Sequence, residues 1–154
     1  MRFVILIMIL FVLGCSESEV EVRFGTIEIA ERVGEHGLRF RFDQEANRVP
    51  LLTMREGGLY GIEYKVDDGR AHEIQLTAIT PPQVIVDGGD LESVERSEQD
   101  VKFVFKTRTV KDSHIEPLLF SAGDPPGVYK LQVMVNGQAY KTIEYQAYVP
   151  DSAH

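Results

Sequence analysis

Along most of this chain apolar and polar residues alternate with a period of two, the period of a half-buried strand, and past residue 22 no apolar repeat at helical spacing is sustained. Tyr60, Ile62, Tyr64 and Val66 fall on one face, with Gly61, Glu63 and Lys65 on the other. Ile74, Leu76 and Ala78 repeat the pattern against Glu73, Gln75 and Thr77. Between the two runs stands Asp67-Asp68-Gly69, a turn in which Gly69 is free to take positive φ. A three-residue loop predicts a hairpin pairing Val66 with Arg70, Tyr64 with His72, Ile62 with Ile74 and Tyr60 with Leu76. Both apolar sides would then lie on one core.

A second hairpin is expected near the end of the chain. Tyr129, Leu131, Val133 and Val135 alternate with polar neighbours, Asn136-Gly137 supplies a strong two-residue turn signal, and Ile143, Tyr145, Ala147 and Val149 return on one face. A strict two-residue turn pairs Leu131 with Thr142 and Val133 with Tyr140. Burying Ile143 and Tyr145 needs one extra residue, which predicts a bulge or longer loop near Gly137-Gln138. Pro125-Pro126-Gly127 sets the start, because neither proline can donate to a ladder.

Further strands are expected at 23–31, 38–43, 49–54 and 101–109, the last with Val101, Phe103 and Phe105 inward and Lys102, Lys106 and Arg108 outward. Pro81-Pro82 ends the first hairpin. The acidic stretch 87–100 reads as a long loop with one helical turn at 91–96. Seven to nine short strands separated by turns predict an all-β fold, an antiparallel β-sandwich that is Ig-like in the broad sense, with a small β-barrel as the alternative.

The first residues are of another kind. Met1-Arg2 precedes an unbroken apolar run from Phe3 to Leu13, which is too short for a bilayer span of about 20 residues and the right length for a signal peptide. The run closes on Val12-Leu13-Gly14-Cys15, which resembles the lipobox of bacterial lipoproteins, with Val12 where that family more often has Leu. The resemblance implies cleavage between Gly14 and Cys15 and a covalent lipid on Cys15. Several acyl chains together would hold the protein to a membrane, at about 0.8 kcal/mol per buried methylene. Ser16, in place of an aspartate, implies the outer membrane, facing the periplasm, if the organism is diderm. The expected organisation is a signal peptide (1–14), a lipidated cysteine with an acidic tether (15–22), one sandwich domain (23–150) and a tail (151–154).

Composition narrows the function. The chain has 154 residues, and Cys15 is its one cysteine, so a lipidated mature form has no disulfide and depends on packing. Loss of Arg2 with the signal leaves 24 acids against 15 bases, net −9. A surface this acidic repels phosphate backbones and argues against nucleic-acid partners.

Two stretches, Gly58-Leu59-Tyr60-Gly61-Ile62-Glu63-Tyr64 running on to Pro81-Pro82, and Pro126-Gly127-Val128-Tyr129-Lys130-Leu131-Gln132-Val133 running on through Asn136-Gly137, resemble an uncharacterised family of bacterial envelope β-sandwich domains. Tyr129 stands one position after that family's usual aromatic, and the chain has no tryptophan. The resemblance covers about half of the mature chain and implies a fold, with no activity attached.

No nucleophile elbow, phosphate-cradling glycine loop or paired-histidine motif occurs. His36, His72, His114 and His154 are scattered. His72 is expected at a hairpin rim, bonded to a tyrosine or a carbonyl, and the other two internal histidines fall in turns. Asp87-Gly88-Gly89-Asp90 with Glu92 lacks EF-hand spacing and reads as a solvated turn. Neither metal nor other cofactor is expected beyond the lipid. Tyr140 and Tyr148, with Thr142 between them and Met134 on the partner strand, fall on the outward face of the last hairpin and form the candidate binding surface. The expected function is a non-enzymatic, membrane-anchored adaptor for another envelope protein or glycan. The alternatives are a small-ligand or metal-binding lipoprotein and, least favoured, a hydrolase.

Overall fold

A computed structural model describes residues 20–35, 37–85 and 90–151. The expected signal peptide, Gly14, Cys15, His36, Asp87, Gly88, Gly89 and His154 lie outside these residues. Apart from one short 3-10 turn, the regular structure of the described residues is all strand: β1 (Val20–Val33), β2 (Gly37–Glu45), β3 (Arg48–Pro50), β4 (Tyr60–Val66), β5 (His72–Thr80), β6 (Leu91–Arg96), β7 (Val101–Phe105), β8 (Arg108–Val110), β9 (Ser113–Pro117), β10 (Gly127–Val135) and β11 (Gln138–Tyr148). They form two sheets, in the orders β2-β1-β4-β9 and β3-β11-β10-β5-β7-β6, with β8 beside β5. All pairs are antiparallel except β3 with β11. The sheets face each other as a sandwich and do not close into a barrel.

Alternation fills the space between them. Val20, Val22 and Phe24 of β1, Tyr60, Ile62, Tyr64 and Val66 of β4, and Ile74, Leu76 and Ala78 of β5 are buried, as are Tyr129, Leu131 and Val133 of β10. Rings from both sheets line up through that core. Phe24 stacks on Tyr145 at 4.1 Å, Tyr145 on Tyr129 at 5.5 Å, Tyr129 meets Phe120 edge-on at 5.6 Å, and Phe120 meets Tyr60 at 5.6 Å. Two rungs, one at the end and one in the middle, are tied down, since the Tyr60 hydroxyl donates to the Pro50 carbonyl at 3.0 Å and Tyr129 to that of Pro125 at 2.8 Å.

Several expectations are corrected. The runs 60–66 and 74–78 bury the faces anticipated, but they are not a hairpin. β4 pairs with β1 and β9, and β5 with β10, β7 and β8. The five residues from Asp67 to Ala71 carry the chain across the roughly 10 Å between sheets. Alternation cannot distinguish the two arrangements, because an arch and a hairpin point the same residues at the core. The expected helical turn at 91–96 is strand β6, held against β7. Ser113–Pro117 is an unanticipated strand, and 101–109 is broken in two between Phe105 and Arg108, so the count is eleven among the described residues. Of the segment 49–54 only Val49 and Pro50 lie in a strand, β3, followed by a short 3-10 turn at Met54–Glu56. The expected tether is shorter than drawn, because β1 begins at Val20, which is 2% exposed and already in the core.

The closing hairpin is present. Asn136 and Gly137 take φ of 52° and 77°, both left-handed, as its two-residue turn requires. Leu131 faces Ile143 and Tyr129 faces Tyr145. The extra residue is Tyr140, between Ala139 opposite Met134 and Lys141 opposite Val133, slightly beyond the expected Gly137-Gln138.

Candidate functional site

Each sheet leaves one strand half covered. β1 is paired with β4 from Val20 to Thr26, but β2 joins it only from Gly25 onward, so Val20–Phe24 has a bare edge. β11 runs the length of β10, while β3 covers it only at Gln146, Ala147 and Tyr148. The two bare edges open on the same side of the sandwich. A cleft of about 470 Å³ separates them, lined by Val22, Phe24, Glu45, Asn47, Lys141 and Ile143 among others.

Backbone phase fixes what these edges present. The Val66 amide turns to the Asp112 carbonyl at 2.6 Å, on the β9 side, so its partner Val20, and with it Val22 and Phe24, turn their polar groups to the cleft. The carbonyls there are met within the chain: Val20 by the Tyr140 hydroxyl, Val22 by Lys141 Nζ at 2.6 Å, and Phe24 by the Ala46 amide at 3.1 Å. Among the described residues the Val22 and Phe24 amides have no such partner. On β11 the Gln146 amide reaches the Asn47 carbonyl at 2.8 Å, which places the amides of Glu144 and Thr142, two and four residues earlier, on the open side as well.

The bulge aims Lys141. Lys141 shares the inward phase of Ile143 and Tyr145, and the bulge sets it opposite the buried Val133, so the ammonium sits at the mouth of the sandwich. Among the described residues it has no carboxylate partner. Arg23, on the cleft's other wall, is committed: its Nε donates to Glu63 at 2.9 Å, and its guanidinium lies 4.5 Å over the Phe42 ring. Glu63 chiefly raises the pKa of this already strong base.

The sequence-predicted surface is only partly assembled. Met134, Tyr140 and Thr142 share a shallow depression of about 300 Å³ with Thr77, Gln132 and Ala139. Tyr148 is eight residues farther along β11, about 27 Å at strand rise, with the Arg48 guanidinium 4.4 Å over its ring. Tyr140 does not stand free as an outward platform, since its hydroxyl reaches across to β1. Neither Lys141 nor the Ala46-Asn47 connection was legible as part of a site, because the bulge position and the bare β1 edge both depend on tertiary pairing.

The histidines are separately employed. His72 is buried, and its partners are Asp68 (Nε2 to Oδ2, 2.8 Å) and Asn136 (Nδ1 to Nδ2, 3.0 Å), rather than the expected tyrosine or carbonyl. Asn136 Oδ1 accepts the Glu73 amide at 3.0 Å, so its Nδ2 donates to the ring and the ring donates to Asp68. This chain of bonds ties the 67–71 arch to the Asn136-Gly137 turn. The arch's Arg70 amide, first among several causes, holds the Asp68 carboxyl below its ordinary pKa. The residue that faces Tyr64 is His114, its ring parallel at 6.4 Å. His114 and Arg108 lie 3.2 and 3.1 Å from Glu116. Burial alone would raise the Glu116 pKa, but these partners outweigh it and hold the carboxyl low. Among the described residues no three His, Cys, Asp or Glu side chains are grouped to hold a metal ion.

Two facing, largely antiparallel sheets joined by arches define an immunoglobulin-like β-sandwich. No family model matches this chain, and no curated protein does. Among solved structures it is similar to an immunoglobulin-like protein from Pseudomonas aeruginosa, with a TM-score of 0.52 at 16% identity over 86% of this chain and 99% of that one. At that identity the likeness is one of fold.

Proposed function

We propose that this chain is a non-enzymatic, lipid-anchored module of the bacterial envelope that binds an extended segment of another envelope protein at the bare edges of β1 and β11. The observation that carries the reading is the pair of half-covered strands around one cleft, with unmet amides on both sides. Strand addition takes its affinity from main-chain bonds to such edges. The lipobox-like Val12-Leu13-Gly14-Cys15 supports the anchor, and Ser16 an outer-membrane, periplasm-facing address in a diderm cell. The partner edge would then stand close to the membrane, because only residues 16–19 separate Cys15 from β1.

A photo-crosslinking residue at position 142, in protein expressed in intact cells, tests this. A discrete adduct is expected in the wild-type background, absent with Cys15→Ser. It should also be lost with Glu144→Pro, which removes an outward amide without touching the ladder to β10. An adduct that survives Glu144→Pro would rule out strand addition. One that survives Cys15→Ser would show that the anchor does not place the site.

A further inference from the structure

We propose that the cavity between the sheets, beneath the β9–β10 connection, is a binding site for a small neutral molecule made of one ring, or a short branched chain, with a single hydroxyl. It lies at the other end of the core from the Asn136-Gly137 turn and does not depend on the edge-binding reading. Its volume is about 150 Å³, the size of cavity that accepts one benzene ring. Phe103, Phe105, Phe120, Leu118, Leu131 and Val84 supply apolar walls, so a ring would enter by the transfer of apolar surface out of water. A site of this kind, mostly apolar with a few placed polar groups, is the usual form of a small-molecule pocket.

The polar group is Tyr145. Its side chain lines the cavity and is 6% exposed, and among the described residues its hydroxyl has no hydrogen-bond partner. The neighbouring Tyr129 hydroxyl, by contrast, is satisfied by Pro125. No fully buried side-chain nitrogen or oxygen in the described residues lacks a partner, so the Tyr145 hydroxyl retains accessible surface, and the cavity it lines provides it. A buried tyrosine hydroxyl usually finds a partner, and here a ligand would supply it.

Asp124 also lines the cavity and sets the sign of the ligand. Its Oδ2 accepts the Ser121 amide at 2.7 Å, which fixes the carboxylate at the end of the connection. Burial first, then Tyr129 and Asp124, push the Tyr145 hydroxyl above its ordinary pKa, so it stays protonated and donates. An anionic ligand would meet Asp124 as a like charge. A phenol or alcohol can instead accept from Tyr145 and donate to the acid.

The test uses the mature full-length protein with p-cresol, p-toluate and toluene, followed by chemical-shift titration. Saturable p-cresol binding is expected to perturb residues on β5, β7 and β10, with p-toluate at least tenfold weaker. Tyr145→Phe, which keeps the ring stack, should weaken p-cresol five- to tenfold, the worth of one hydrogen bond, and leave toluene within about twofold. Leu118→Trp should fill the space and abolish all binding. Equal p-cresol affinity in wild type and folded Tyr145→Phe would overturn the proposal, as would p-toluate binding as well as p-cresol. Absence of saturable p-cresol binding to the wild type would overturn it outright.

Discussion

At the scale of single residues, a few polar side chains tie the two sheets together, among them Tyr140, Lys141 and Glu116, and Glu116 is the one whose titration can be followed. It stands on β9 in the smaller sheet, and Arg108, on β8 in the larger, reaches it at 3.1 Å. The native carboxyl is held below its ordinary value of 4.5 despite the opposing effect of burial. A depressed acid stabilises the fold fully above its unfolded pKa, and that contribution fades as pH falls through the native one. Glu116→Gln should therefore cost about 1 kcal/mol near neutrality, and the difference from wild type should shrink progressively as pH falls below the ordinary 4.5 and through the lowered native value. Denaturant unfolding at several pH values reads this directly, and a pH-independent difference would mean the carboxylate's charge does not matter. Gly25 is a tie of another sort. A Cβ there would lie 1.9 Å from the Gln44 carbonyl oxygen, because β2 crosses β1 at this point. Gly25→Ala should force the bulged β1–β2 pairing apart and cost about 2–3 kcal/mol by thermal or chemical unfolding.

At the scale of elements, faces were legible in the sequence and neighbours were not. Alternation named the buried residues of β4, β5 and β10, and Asn136-Gly137 named the closing turn, because side-chain direction and turn chemistry are local properties. Which strand lies beside β4 is decided by long-range pairing, and the apolar pattern of 60–78 is compatible with both a hairpin and an arch. The cleft was invisible for the same reason: a bare strand edge is a statement about which strand is missing next to it. Of the candidate surface, Met134 and Tyr140 were identified as neighbours by cross-strand phase, while Tyr148 shared their phase but not their place. Pairing can be tested directly, since strand partners lie within disulfide reach. Lys65→Cys with Ser113→Cys, partners on β4 and β9, should oxidise to a crosslinked monomer with native stability or better. Lys65→Cys with Ala71→Cys, partners only in a hairpin, should remain reduced. The bulge and inward lysine on β11 also guard its edge, in the way bare edges are commonly kept from pairing with other copies. Lys141→Thr should leave a folded protein that self-associates with rising concentration, visible by sedimentation velocity.

At the scale of the whole molecule, β1 links the N-terminal segment, the core and an exposed arm. It begins five residues after Cys15, pairs with β4 in the core, and then leaves the sandwich with β2 as an arm whose outer residues are exposed. Glu28 with Arg41, and Glu31 with Arg39, bridge the arm on one side, and Ile29 and Leu38 stand exposed on the other. The fourteen residues of β1 span about 45 Å. If Cys15 carries the lipid, the four intervening residues reach at most about 14 Å, so the body cannot tumble far from the bilayer. The end holding the 67–71 arch and the Asn136-Gly137 turn must face the headgroups, and the arm must point away. A lipidated protein has no other thiol, so a single introduced cysteine can be labelled alone. A fluorophore on Arg70→Cys, in vesicles bearing a headgroup quencher, should be strongly quenched. The same fluorophore on Glu35→Cys, at the arm tip, should be nearly unaffected, being beyond the range of headgroup contact. Equal quenching at both positions would show that the short tether lets the sandwich lie on its side. The β1–β11 cleft would then face the bilayer or the periplasm without preference, and the anchor could not be what presents it to a partner.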